Sequence, residues 1–239
     1  MKRFVYLQVF IVLLGLLIGL VGRYTFKDEG VAGISCVEDI EKLDCNLYYL
    51  YTDAEYESYK GDYFQGLIKE CDEASDVLVV EPTDKIIQND FSILQEAKVI
   101  SSIKGGAKEN DIILFQSIGG VSTEFSDAGK YGNNNPVIFH FPASFMQQGN
   151  RYLVFCETTA INNYVKEKIY HRKTTFFPYL NLTKNDSHYV KDSISYNAFK
   201  DSEFFCDSER MLELVMKYKK EIVNKYAKGF VEYNEEESD

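Results

Sequence analysis

The sequence predicts a mainly β chain with flanking helices, an α+β class, and three observations carry that reading. From Ser92 to Lys104 the pattern has a period of two: Ile93, Ala97, Val99 and Ile103 share one parity, while Ser92, Glu96, Lys98, Ser102 and Lys104 share the other. Four further apolar runs have the length of strands: Val77 to Val80, Ile112 to Phe115, Val137 to Phe141 and Tyr152 to Cys156. Helical periodicity is clearest near the carboxyl end, where Met211, Val215, Tyr218, Ile222 and Tyr226 recur every three or four residues.

The composition suits a substantial core. Of 239 residues 45% are hydrophobic and 15% aromatic, with 18 Tyr, 17 Phe, no Trp and 4 Pro, which excludes global disorder and collagen-like repeats. The formal charge of −11 argues against nucleic acid as a partner, because a phosphate backbone is bound through clustered Lys and Arg.

In chain order, residues 1–3 form a basic, cytoplasmic tip and residues 4–22 an apolar run. Phe4 to Gly22 carries no charge and one strongly polar side chain, Gln8. As a helix this run rises about 28 Å, enough to cross a hydrocarbon core. Lys2 and Arg3 precede it, whereas Arg23 and Lys27 beyond it are offset by Asp28 and Glu29. The positive-inside rule then favours an extracytoplasmic remainder. A cleaved secretory signal shares the basic-then-apolar pattern, but Leu20-Val21-Gly22-Arg23 offers no A-x-A cleavage site. The expected location is the cell membrane, single-pass, through an uncleaved N-terminal transmembrane signal anchor. The expected partners are the membrane and an extracytoplasmic protein or cell-envelope component.

Residues 23–66 read as a tether followed by a helical, tyrosine-rich region. Ser35-x-x-Glu38 is a capping box for a short helix bearing Cys36, Ile40 and Leu43, and Asp62 and Gln65 cap a second one with Phe64, Leu67, Ile68 and Cys71 on its face. A strand from Val77 ends at Pro82; the long strand to Lys104 turns at Gly105-Gly106 and returns through Ile112. Val99 and Leu114 are expected inside this hairpin and Lys98 outside. A Gly- and Asn-rich loop spans Gly119 to Asn135, after which Val137 to Phe141, Tyr152 to Cys156 and lastly Thr174 to Leu182 are expected strands. Residues 183–239 hold an amphipathic helix, capped by Ser208 or Asp207 and ended by Gly229, and an acidic tail. Among the five cysteines, Cys36 with Cys45, or either with Cys71, are the open bridging alternatives, and Cys156 reads as a buried thiol.

The succession L-I-K-E-C-D-E-A-S-D-V-L-V-V, E-A-K-V-I-S-S-I-K-G, N-D-I-I-L-F-Q-S-I-G-G and Q-G-N-R-Y-L-V-F resembles that of exported or membrane-anchored proteins of Gram-positive bacteria without an assigned activity. Their domain is a small oligonucleotide/oligosaccharide-binding-type (OB) barrel, similar to that of tissue inhibitors of metalloproteinases. The resemblance covers residues 67–182 and implies an OB-like five-stranded Greek-key barrel there, with Lys104-Gly105 ending a strand and Gly149 preceding a core strand. No functional residue comes with it. The inhibitors address a catalytic zinc with a free amino-terminal cysteine, whereas this chain opens on an apolar run and first reaches cysteine at Cys36. Only the fold therefore carries over.

The residues that commonly do chemistry form no recognisable set. His140, His171 and His188 share no metal-ligand spacing, no G-x-S-x-G is present, and Gly119-Gly120 lacks the lysine and following helix of a phosphate loop. No catalytic residue, metal or cofactor is assigned. Two classes of function remain: a non-enzymatic recognition domain, which is the expected one, and an extracytoplasmic hydrolase with a site assembled from distant residues. Recognition residues concentrate on loops borne by rigid scaffolds. The expected contacts are therefore Val121, Phe125, Lys130, Tyr131, Asn133 and Asn134.

Overall fold

The computed structural model describes residues 34–43, 45–47, 53–89, 92–117, 121–122, 137–138, 143–158, 168–189 and 195–232, with residues 8, 12–15, 17 and 19 near the amino terminus. The chain divides into two units, Met1–Gly33 and Ile34–Asp239. In the first, the described residues are helical, and Val12, Leu13, Leu14 and Leu17 are exposed. Among the described residues no helix is long and apolar enough to cross a membrane; most of the expected span 4–22 lies outside them.

The second unit runs α1 (Val37–Lys42), β1 (Asn46–Leu47), α2 (Asp53–Tyr59), α3 (Tyr63–Glu73), β2 (Asp76–Asn89), β3 (Ser92–Lys104), β4 (Ile112–Ser117), β5 (Val121–Ser122), β6 (Val137–Ile138), β7 (Tyr152–Thr158), β8 (Lys168–Arg172), β9 (Leu180–Asn181), β10 (Ser187–Tyr189), β11 (Phe204–Cys206) and α4 (Glu209–Tyr226). β2, β3 and β4 form an antiparallel meander. β4 then pairs in parallel with β8, β8 pairs antiparallel with β7, and β7 returns antiparallel to β2, from Asp76↔Cys156 to Val80↔Tyr152. Five strands thus close into a mixed barrel. β9 pairs with β7 outside the closure, while β1, β6 and β5 make a separate small sheet.

Several sequence expectations change. Pro82 does not end its strand: it stays opposite Ala97, and the register jumps between Pro82 and Ile86. A proline has no N–H to give the ladder, so an irregularity of pairing is where a strand tolerates it. The last barrel strand is β8, and the expected Thr174 to Leu182 supplies only β9. Val137–Ile138 belongs to the small sheet, not to the barrel. Leu114 lies opposite Glu96, whereas Ala97 lies opposite Ile113. Residues directly opposite share a face, so Val99 joins Ala97, Ile113 and Phe115 in the barrel core, and Leu114 is buried on the other face. Lys98 is exposed, as its parity requires.

The flanking helices pack on the same core. Met211, Val215, Tyr218, Ile222 and Val223 of α4 join Leu67 and Cys71 of α3 and the barrel's inner residues in one cluster. Ser208 caps α4 by accepting from Met211 N at 3.2 Å. The helix ends at Tyr226, and Gly229 falls in a following 3-10 turn, Lys228–Phe230. In α1 the cap is Cys36 and not Ser35; Asp39, not Glu38, reaches back to Ser35 N at 3.1 Å. Cys36, Cys71, Cys156 and Cys206 are free thiols, and Cys45 Sγ donates to Ile40 O at 3.8 Å. Cys36 caps the start of α1, whereas Cys45 follows its end.

The Lys104-Gly105 element also has a physical cause. Gly105 has φ +109°, and a Cβ there would stand 2.0 Å from Asp76 Oδ1. That carboxylate, nearly buried, accepts from Gly106 N at 3.0 Å, Ser75 Oγ at 2.7 Å and Thr158 Oγ1 at 2.9 Å. Asp76 thereby ties the β3 turn to the start of β2 and the end of β7.

Candidate functional site

Val121 is buried in β5, opposite Ile138, and its carbonyl accepts from Gln88 Nε2 at 3.0 Å. Its side chain is therefore no part of a contact surface. Phe125, Lys130, Tyr131, Asn133 and Asn134 lie outside the described residues, as does His140. The two described histidines stand on different elements. His171 on β8 faces Gln116 of β4 through Nδ1, and the His188 ring on β10 lies tilted against Phe199 with centroids 5.3 Å apart.

The described polar cleft is built around segment 143–150, a strap tied to β3 through Gln95 and to β7 through Tyr152. Its peptide groups are held by side chains from four places. Phe145 N donates to Tyr196 Oη at 3.1 Å, Gln147 N to Tyr152 Oη at 2.9 Å, and Tyr179 donates to Ser144 O. Gln95, fully buried, makes a two-pronged clamp: its Nε2 donates to Met146 O, and Met146 N donates to its Oε1, both at 3.1 Å. A buried extended segment has no ladder to satisfy it, so these side chains supply the partners its backbone needs. The hydroxyl of a buried tyrosine serves both ends of that requirement, an apolar ring with a polar tip. Burial pushes the Tyr152 phenol up to about 12. These tyrosines are thus structural.

Beside the strap lies a shallow cleft, lined among others by Gln147, Asn150, Tyr152, Asn181, Lys200 and Glu203, with room for roughly one water. Gln147 Nε2 is buried there without a partner. Its wall holds the least expected group in the molecule, the ion pair of Glu203 and Lys219, whose side chains are each 1% exposed. Glu203 Oε2 accepts from Lys219 Nζ, and Oε1 accepts from Asn181 N at 2.6 Å. Lys219 Nζ also donates to Lys184 O at 2.7 Å. Desolvation raises the Glu203 carboxyl to about 7, against the pull of Lys219, and lowers the Lys219 ammonium. Both carboxylate oxygens are occupied by donors of the fold, so the pair meets a structural demand and presents no free base to the cleft. Asp201-Ser202-Glu203 in sequence looks like any solvated acidic turn, and nothing short of the tertiary fold marks Glu203 out.

Among the described residues no group of three or more His, Cys, Asp or Glu is arranged to hold a metal ion. Comparison with models of known protein families gives no match, and none is found among curated proteins.

Proposed function

We propose that this chain is a non-enzymatic recognition module: an OB-type barrel, tethered by residues 4–22 in the membrane and displayed outside the cell. The observation that carries the reading is the strand connectivity. A three-stranded meander, a third barrel strand parallel to the fifth, and a fourth strand returning to the first is the order of an OB barrel. Such barrels are rigid platforms whose connecting loops bind. The hydrogen-bonded strap adds to that rigidity, and it occupies the tyrosines that would otherwise compete as contact residues.

Recognition is then assigned to the long connection between the third and fourth barrel strands, where Phe125, Lys130, Tyr131, Asn133 and Asn134 stand. Val121 anchors its base instead of touching a partner. The test replaces residues 123–134 by a short Gly-Ser link in the tagged full chain on intact cells. Cross-linked partner capture is expected to fall sharply while thermal stability is unchanged, because a surface connection adds little to the core. Capture that persists with the fold intact overturns the assignment. Protease added to the same cells is expected to shed the carboxyl-terminal tag and leave a membrane-bound stub; full protection of the tag overturns the topology.

A further inference from the structure

We propose that residues 143–147 of the strap occupy in cis a groove that binds an extended segment of a partner protein. Ala143 pairs antiparallel with Phe204 on the edge of β11, and Ser144 N continues that pairing to Glu203 O at 3.1 Å. Glu203 is thereby a junction, since its side chain also joins Lys219 of α4 and the backbone of Asn181. From Ser144 onward side chains take over the main chain. Tyr179 donates to Ser144 O, Phe145 N donates to Tyr196 Oη, Met146 N and O close on the Gln95 amide, and Gln147 N donates to Tyr152 Oη. Each of these partners belongs to another part of the chain.

Proteins that bind extended peptides work in this way: the main chain is held by hydrogen bonds whatever its sequence, and pockets for side chains select among sequences. Two neighbouring side chains of the strap fill such pockets. Met146 is fully buried in the main apolar cluster of the barrel, whereas Phe145, 1% exposed, lies outside that cluster with its ring edge-on to Tyr196 at 5.6 Å. Consecutive side chains thus enter different pockets, as the two sides of an extended chain do. The strap carries no charge, and it ends at Gln148 and Gly149, both exposed, with Gly149 at φ +76° as a swivel into β7. The segment that fits is therefore uncharged and extended, with an aromatic side chain next to a long apolar one. Because the strap is part of the same chain, its effective concentration keeps the groove filled, and a partner engages only the fraction of molecules whose strap is displaced. The strap is then an autoinhibitory contact. This groove is separate from residues 123–134 and does not depend on what they bind.

The probe is a fluorescein-labelled peptide of residues 143–149, followed by anisotropy against the full chain in detergent micelles. In the chain with Phe145→Ala and Met146→Ala the strap has lost both anchors while the groove is unchanged. The peptide is expected to bind this variant at least about tenfold more tightly than the wild type, and to raise its Tm as peptide concentration rises. A peptide carrying the same two alanines is expected not to bind. N-methylation at the Met146 position, which removes the donor to Gln95, is expected to weaken binding about tenfold. If the variant unfolds by itself, refolding on addition of the native peptide supports the groove equally. A folded variant that ignores the peptide overturns the proposal, as does an unfolded one that saturating peptide leaves unfolded, or equal binding of the native and alanine peptides. A wild-type dimer held by exchanged straps, seen by light scattering and dissolved by the peptide, overturns the choice of partner in favour of a second copy.

Discussion

At the scale of single residues, Asp76 and Gly105 show how a short motif can be fixed by one carboxylate. Three donors converge on Asp76, and the absence of a side chain at Gly105 is what lets the carboxylate approach the turn. Gly105→Ala meets both a positive φ and the Asp76 side chain, and we expect it to cost about 2–4 kcal/mol in urea denaturation. Gly106→Ala next to it meets nothing within 4 Å and is expected to stay within about 0.5 kcal/mol. Equal effects of the two would show that Asp76 does not set the turn. The glycine pair was legible as a turn from the sequence, but the donor set was not. Ser75, Gly106 and Thr158 are far apart in the chain, and no local pattern announces that they share a carboxylate.

Strands were legible in proportion to how apolar they are. β3 and β4 declare themselves by alternation and by a run of Ile and Leu. β8 does not: in Lys-Ile-Tyr-His-Arg only Tyr170 is fully buried in the core, Lys168 is exposed and the rest are half-buried. In the hairpin the alternation was right for Val99 and wrong for Leu114, because a continuous apolar run fixes no parity and the partner strand has to supply it. The register now makes a sharper expectation. Val99→Asp places a charge inside the barrel and Leu114→Asp buries one on the opposite face, so both should cost several kcal/mol or abolish folding. Lys98→Asp should remain within about 0.5 kcal/mol by the same denaturation measurement. Tolerance of Val99→Asp would refute the register.

For the whole molecule, the decisive fact about the cysteines is that Cys36, Cys71, Cys156 and Cys206 are free thiols. Burial in the common core holds the Cys71 thiol up at about 12 and pushes Cys156 and Cys206 higher still, so they behave as small apolar groups and not as nucleophiles. A native disulfide would contribute about 2–4 kcal/mol and, at this length, shift Tm by about 4 °C or more. We expect added reductant to leave Tm unchanged; a clear fall would reveal a bridge. Of the candidate site, the loop residues rest on the sequence alone and only Val121 among them is described, whereas the barrel beneath was legible in its apolar runs. The strap, the Gln95 clamp and the Glu203 junction depend on contacts between residues distant in the chain, and those are invisible until the barrel closes.

Closure also dictates an order of events during synthesis. β2 is among the first barrel strands to leave the ribosome, yet the edge it offers at Asp76 has no partner until Cys156 arrives, and β4 likewise waits for β8. Through that interval a meander rich in Val, Ile and Leu carries two open edges, the condition under which strands pair with neighbouring chains. The nascent molecule therefore has its greatest need of a chaperone in the stretch between completion of β4 and emergence of β7, and long-range pairing makes the final closure the slow step of folding.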